Sequence, residues 1–370
     1  MTNPRHGGCC VAVSDLERFI HQALTTRGAD DVSASAVTQA LVTASRMGTD
    51  SHGLRLLPHY LKVLAGGRVN ARPDMRFSRR LPATGYLDAD DGFGHLAGYT
   101  AIEHGVAMAW EVGIGAVAVG NSSHFGAAGC YALAAAEQGM IGLVVCNSDP
   151  FVLLHGSRSP FHGTNPIAFA APVDGHAPYL LDMATSSIPW NRVQQYGAIG
   201  RDLPSDVAAD ELGRMTLRPQ EVSALLPLGG AEFGFKGAGL AGVVEILSST
   251  LSGMLNGFRL LPMGGNDLAT PRGVGHFFLV MNPDAFIDSS VFQRCLHEYL
   301  EDLRARPAAD GREVLAPGDR EWRCWQHRDR DGIPLDEANQ ADFRHLAEVL
   351  GIDALDEYSP AAEHGPDAVR

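Results

Sequence analysis

Two imidazoles in the chain lie beside hydroxyl groups in settings suited to proton transfer. Ser51-His52-Gly53 puts a hydroxyl and an imidazole side by side on a turn. Reduction of a carbonyl needs a proton donor of near-neutral pKa at the carbonyl oxygen, and histidine is the side chain that titrates there. The second imidazole is in Asn121-Ser122-Ser123-His124-Phe125-Gly126, at the end of an apolar strand, where α/β proteins put ligand sites. Gly163-Thr164-Asn165-Pro166 and Asp182-Met183-Ala184-Thr185-Ser186 set hydroxyls, an amide and a carboxylate at further strand ends. Taken singly, each segment fits turn or capping chemistry, or a structural histidine, equally well. Spacing alone reaches an α/β enzyme whose reaction is open.

The pattern Gly237-Ala238-Gly239-Leu240-Ala241-Gly242 has the spacing of a dinucleotide-binding fingerprint, but not its surroundings. That mechanism needs a buried strand just before the first glycine and an acidic residue about 20 positions on. Here LPLGGAEFGFK precedes the glycines, and Arg259, Leu260 and Leu261 fill the later window. Small residues that let a helix pack closely explain the pattern better. Lys236, read as lying just before that helix, would add a cation where helix N–H groups already favour anions. Spacing alone favours a solvated surface lysine. There is no GxSxG elbow, HExxH, P-loop, EF-hand loop or paired CxxC, so serine hydrolase, metalloprotease and P-loop readings fall away and no metal is expected.

The elements that must hold these residues follow from periodicity. Ser14-Asp15-Leu16-Glu17 is a capping-box pattern, with Leu16, Phe19, Ile20, Ala23 and Leu24 at helical spacing up to Gly28. A second helix is expected from near Ser33 to Gly48 and a third over Leu54 to Leu64, which leaves DSHG at a helix–helix junction. Runs at 115–119, 141–145, 166–172 and 179–184 predict strands, and helical patterns at 98–112 and 127–138 lie among them. A long apolar helix at 238–256, a strand GHFFLVMNP and a helix from Ser289 to Arg304 come next, and 307–320 reads as loop. The whole predicts a mixed α/β (α+β) centre at 111–285, a helical N-terminal lobe at 1–110 and a C-terminal lobe at 286–351. An acidic, frayed tail is expected at 352–370.

At 370 residues and 45% hydrophobic content, the chain can bury a core large enough to divide into two or three lobes. Its net charge of −14 opposes binding to phosphate backbones or anionic lipid, so nucleic acid and membrane are not expected partners. The six cysteines lack CxxC spacing, and Cys130 and Cys146 sit in apolar runs where a buried free thiol is the simplest reading. No segment resembles a signal peptide or a membrane span, so a cytoplasmic protein is expected.

The ordered blocks SRMGTDSHGLRLLPHY, GNSSHFGAAGCYALAAAEQGMIGLVVCN, GTNPIAFAAP, DMATSS, FKGAGLAGVVEILSSTLSG and VLAPGD resemble the malate/L-lactate dehydrogenase family, from about residue 12 to residue 335. The resemblance implies a non-Rossmann dehydrogenase fold with a largely antiparallel central sheet that binds NAD(H) or NADP(H), and a homodimer. Carried onto matching positions, it makes His52 the proton donor or acceptor at the substrate, with Ser51 and Asp182 as relay partners. His124 is the alternative catalytic base, or a substrate-binding group alongside Arg55 and Thr164. Cofactor contacts are implied for Asn147, Asn165, Leu180, Leu181, Asp182, Met183, Ala184, Thr185, Ser186, Phe235, Lys236, Pro317, Gly318 and Asp319.

Two departures stand out. Several members have arginine four residues after the histidine of the SHG block, where this chain has Leu56; its arginine is Arg55, about 100° earlier around a helix. After DMATS many members read Gly-Lys, but here Ile188-Pro189-Trp190-Asn191-Arg192 follows, which bears on cofactor preference or substrate shape. The expected reaction is interconversion of a small 2-oxo acid and its 2-hydroxy acid. Reduction of a cyclic 2-imino acid is the alternative, and a catalytically silent dinucleotide-binding protein the third reading.

Overall fold

The computed structural model describes residues 9–355. It opens with β1 (Cys9–Val11), α1 (Val13–Thr26) and α2 (Asp31–Arg46). Two 3-10 turns, Asp50–His52 and Leu54–Leu56, lead into α3 (Leu57–Gly66), and β2 (Arg76–Leu81) and β3 (Thr84–Asp88) form a hairpin. There follow α4 (Gly94–Val112), β4 (Ile114–Ser122), α5 (Gly129–Ala136) and β5 (Ile141–Cys146). Next come β6 (Val152–Leu153), β7 (Pro160–His162), β8 (Ile167–Ala171), β9 (Tyr179–Met183), α6 (Trp190–Ala198), β10 (Ala208–Ala209) and β11 (Ala224–Leu225). Helix α7 (Gly230–Glu245) continues as a π-helix over Ile246–Thr250 and leads to β12 (Val274–Met281). The chain ends in α8 (Ser289–Arg304), α9 (Asp319–Asp331), β13 (Ile333–Leu335) and α10 (Glu337–Leu350). From residue 356 onward, the expected acidic tail lies outside the described residues.

The chain divides into two compact units at other points than the expected lobes. One joins residues up to Leu61 with those from Arg320 on, and the other runs from Lys62 to Asp319. The physical reason is pairing between the two ends of the chain: β1 lies antiparallel to β13, with Val11 opposite Ile333. In that first unit α1 buries Leu16, Phe19, Ile20, Ala23 and Leu24, and Phe19 meets Phe343 of α10 edge-on at 5.3 Å. The capping-box expectation fails there. Helix α1 starts at Val13 behind Ala12, with no side-chain cap, because the chain turns straight out of β1 and leaves Ser14 inside the first turn. For α2 the cap is Asp30, whose carboxylate accepts from Ser33 N at 2.8 Å.

The larger unit is built on a seven-stranded sheet of order β2-β3-β4-β12-β5-β8-β9. Every neighbouring pair in it is antiparallel except β3–β4. The expectation of a largely antiparallel central sheet holds, and the hairpin and α4, read from sequence as part of an N-terminal lobe, belong to it. Helix α4 reaches β4 closely because neither side has a Cβ at the contact: one on Gly115 would come within 2.1 Å of the Gly105 carbonyl oxygen. A second sheet of very short strands, β10-β11-β6-β7, packs with α6 around Val152, Ile188, Val193, Leu203 and Leu225. No helix among the described residues is long and apolar enough to cross a membrane.

Candidate active site

Ser51 and His52 occupy the 3-10 turn Asp50–His52, at the helix–helix junction expected from sequence. Ser51 Oγ and His52 Nδ1 are 2.8 Å apart, so the two adjacent side chains do meet: a 3-10 turn, unlike an α-helix, lets the hydroxyl fold back on the ring. The turn is fixed at its exit by the buried Ser45, whose Oγ accepts from Leu54 N at 3.0 Å. Glycine is required between them, since a Cβ on Gly53 would stand 2.1 Å from that Oγ. His52 is half-buried, and desolvation holds its imidazole pKa below the ordinary value of 6.5. Arg55 donates to Asp336 at 3.0 Å in a pair that is about half exposed on both sides.

His124 lies in the larger unit, in the loop that leaves β4. Its neighbours on each side are anchored. Ser123 Oγ donates to Gly92 O at 3.0 Å and accepts from Gly94 N at 2.9 Å, which caps α4 and explains why that helix starts at Gly94 rather than at 98. Phe125 stacks on His276 of β12 at 4.6 Å, and His276 Nε2 lies 2.8 Å from Ser122 Oγ. Burial pushes the pKa of His276 down to about 3, and that of nearby His95 likewise to about 3, so both rings are neutral structural groups. Sequence reading missed His276 because a lone histidine inside an apolar strand has no local signal.

Several of the remaining expected residues lie on strand β9 of the same unit or are tied to it and its exit by hydrogen bonds. Strand β9 is the outer edge of the sheet. Leu180 N reaches outward to Pro317 O at 3.3 Å, so by strand alternation the backbone groups of Asp182 face outward too. Asp182 Oδ2 accepts from Gly129 N at the start of α5, at 2.8 Å. The hydroxyls that follow are engaged internally: Thr185 Oγ1 donates to Thr164 O and Asn165 O, both at 3.1 Å, and Ser186 Oγ donates to Ile188 O at 2.9 Å. Leu228 N donates to Thr185 O at 2.8 Å and Leu228 O accepts from Gly237 N at 3.1 Å, which brings Lys236 alongside this end of β9. Lys236 sits inside α7, not ahead of it; the helix starts at Gly230, where Gly229 and Gly230 adopt positive φ. Its exposed Nζ lies 5.3 Å from the ring of Phe233 and 6.0 Å from that of Phe235. Gly318 supplies the left-handed turn at φ +100°, while the Asp319 carboxylate is held by Arg304 at 2.7 Å and Ala316 N at 2.8 Å.

Asn147 and Asn165 are buried, and their amides serve α7. Asn147 Nδ2 donates to Glu245 Oε1 at 3.1 Å, Asn165 Nδ2 donates to Glu245 Oε2 at 3.0 Å, and Gly257 N donates to Oε1 at 2.6 Å. Thr164 Oγ1 lies 3.4 Å from Ser148 Oγ. One residue beyond Ser148, Asp149 forms a buried ion pair with Arg272 at 2.6 Å that sequence reading did not find.

The profile of the malate/L-lactate dehydrogenase family matches residues 11–344. The chain belongs to this family. It is 35% identical over 347 residues to the malate dehydrogenase of Pyrococcus horikoshii, covering 92% of this chain and 95% of that protein. It is 32% identical over 346 residues to a Delta(1)-pyrroline-2-carboxylate/Delta(1)-piperideine-2-carboxylate reductase of Pseudomonas putida, covering 92% and 97%. The solved malate dehydrogenase of Pyrococcus horikoshii OT3 superposes with a TM-score of 0.87 at 32% identity, covering 96% of this chain and 99% of that one. These relatives are dehydrogenases and reductases, so the malate/L-lactate dehydrogenase family makes this chain an oxidoreductase.

Within the family frame, the glycine pattern at 237–242 loses its nucleotide-binding look. All three glycines lie inside α7; Gly237 packs against the Leu228 backbone, where a Cβ would come within 2.4 Å, while Gly239 and Gly242 face open space. Close packing thus explains one glycine of the three. The unusual Ile188-Pro189-Trp190 segment starts α6, with Pro189 extended as its N-cap and Trp190 against Phe151 at 5.5 Å. Its bulk completes the apolar cluster of the small sheet.

Proposed function

We propose that the chain interconverts a small 2-oxo acid and its 2-hydroxy acid with a nicotinamide dinucleotide, and that His52 carries the proton. The observation that supports this most is the 2.8 Å contact between Ser51 Oγ and His52 Nδ1. In the tautomer that carries its proton on Nδ1, that N–H donates to the serine oxygen; the neutral ring then presents its lone pair at Nε2, and the protonated ring a second N–H there. One atom can then take a proton in the oxidation direction and give it back in reduction.

The donor set around β9 suits the dinucleotide. The outward backbone groups of Asp182, the turn at Pro317-Gly318 that Leu180 N holds against β9, and the exposed Lys236 ammonium with Phe235 beside it would hold its polar and aromatic parts. When bound, the nicotinamide supplies or accepts the hydride, and the protein's own part is orientation and proton transfer. Reduction of a cyclic 2-imino acid is the second reading, favoured by the Pseudomonas putida relative. The test is a panel of 2-oxo acids and cyclic imines with NADH and with NADPH, followed by nicotinamide absorbance. Turnover of 2-oxo acids is expected; turnover of imines alone would transfer the assignment to the second reading. Binding of dinucleotide without turnover of any substrate would overturn both.

We also propose a homodimer. Leu240, Val243 and Ile246 are exposed at helical spacing on α7 and its continuation, with Leu251 beyond them, an apolar stripe of the kind a second copy covers. Light scattering should give twice the chain mass, and Val243→Glu should halve it; a wild-type protein that is monomeric at all concentrations contradicts the proposal.

A further inference from the structure

Helix α9 has no part in the proposed chemistry, yet it grips the segment that carries Ser51 and His52. Only 13% of the Arg328 side chain is exposed. Its Nη1 donates to Asp50 Oδ1 at 2.5 Å and to the Ser45 carbonyl oxygen, and its Nη2 donates to Asp50 Oδ2 at 3.0 Å. Asp50 is the first residue of the 3-10 turn, and its own carbonyl accepts from Gly53 N at 3.3 Å. The next residue of α9 holds the end of α2 in the same manner. Arg46 donates through Nε to Asp329 Oδ1 at 2.6 Å and through Nη2 to Oδ2 at 2.5 Å, and its guanidinium lies 3.8 Å over the Trp325 ring.

Two forked contacts from adjacent residues fix direction as well as distance, which single contacts on flexible stems do not. A solvated ion pair would contribute little. This one differs, because its cation is mostly buried and its carboxylate belongs to the residue before Ser51. Ser45 completes the arrangement: its carbonyl takes Arg328 on the entry side of the turn, and its hydroxyl takes Leu54 N on the exit side.

We propose that Arg328 is a positioning residue for the Ser51–His52 pair: by clamping Asp50 against Ser45 it sets the rotation of the turn, and with it the direction in which the His52 ring presents Nε2. The proposal rests on the reading of His52 as the proton carrier. Arg328→Lys keeps the charge and removes the fork. It should lower kcat by about 10- to 100-fold, since a displacement near 1 Å at a reacting group costs on that order. The KM for the dinucleotide should stay unchanged, because the residues proposed to hold it are elsewhere.

A double-mutant cycle separates positioning from general support of the fold. In a His52→Ala background Arg328→Lys should lower kcat no further, while in a His124→Ala background it should lower it by its full factor. Asp50→Asn, at a half-exposed position, is the second variant should Arg328→Lys fold poorly, with the same expectations. If the folded variants keep kcat within twofold of the parent, or if the loss is undiminished in His52→Ala, the proposal is wrong. If His52→Ala itself turns over normally, the reading of His52 fails instead, and the two failures are told apart by that single variant.

Discussion

His52→Ala is expected to lower kcat by about 100- to 10,000-fold, the usual range for removing a positioned acid/base group, with little change in melting temperature. The ring is half-buried on a short 3-10 turn, so its removal should cost far less than removal of a fully buried side chain. The sign of the pH dependence follows from desolvation, which disfavours the imidazolium and lowers the pKa below 6.5. Oxidation of the hydroxy acid needs the neutral ring, so its kcat/KM should rise with pH through that lowered pKa and be level by neutrality. Reduction needs the protonated ring and should fall with rising pH over the same range. Ser51→Ala should keep part of the rate and blur both limbs, because the ring loses the hydroxyl contact that orients it. Rate profiles of the wild type and the three alanine variants at 51, 52 and 124 decide the matter. A near-normal His52→Ala with a collapsed His124→Ala would move the acid/base role to the second imidazole.

The strongly periodic parts of the chain are legible in the amino-acid sequence itself. Leu16, Phe19, Ile20, Ala23 and Leu24 sit on the buried face of a helix as their spacing predicts, and the runs at 115–119 and 141–145 lie within strands of the central sheet. Where spacing and fold part, tertiary partners decide. Ser14 carries a capping pattern but is overridden by the exit from β1, and Ser123 caps a helix that begins 29 residues earlier in the chain. Helix α9 is hard to read because DREWRCWQHRDRD is mostly charged and carries few apolar residues; its inward contacts, Arg328 on Asp50 and Trp325 under Arg46, are made by half-buried side chains and are ones that only the fold creates. The same holds at the site. The Ser51–His52 pair is readable from adjacency, whereas the role of Asn147 and Asn165 in holding Glu245 needs a partner 98 and 80 residues away.

The largest stability effect should come from a pair with no sequence signal at all. Asp149 and Arg272 are 8% and 4% exposed, 2.6 Å apart, and Asp149 also accepts from Met263 N at 3.0 Å. Removing one member of a buried ion pair leaves an uncompensated charge and costs about 3–5 kcal/mol. The two single variants should not be equal, because a second guanidinium is close. Arg68 is 3% exposed, and burial together with Arg272 pulls its pKa below the ordinary value, while Asp267 and Asp149 act the other way. Asp149→Ala therefore leaves two interacting like charges at buried positions without their shared carboxylate, whereas Arg272→Ala relieves that repulsion and leaves Arg68 to answer Asp149. Asp149→Ala should be the more destabilising, and Asp149→Ala with Arg272→Met should recover a large part of the loss, as apolar replacement of both partners often does. Urea midpoints of the three variants measure this directly. If Arg272→Ala proves the worse of the two singles, Arg68 does not share the aspartate, and its charge is balanced by Asp267 alone.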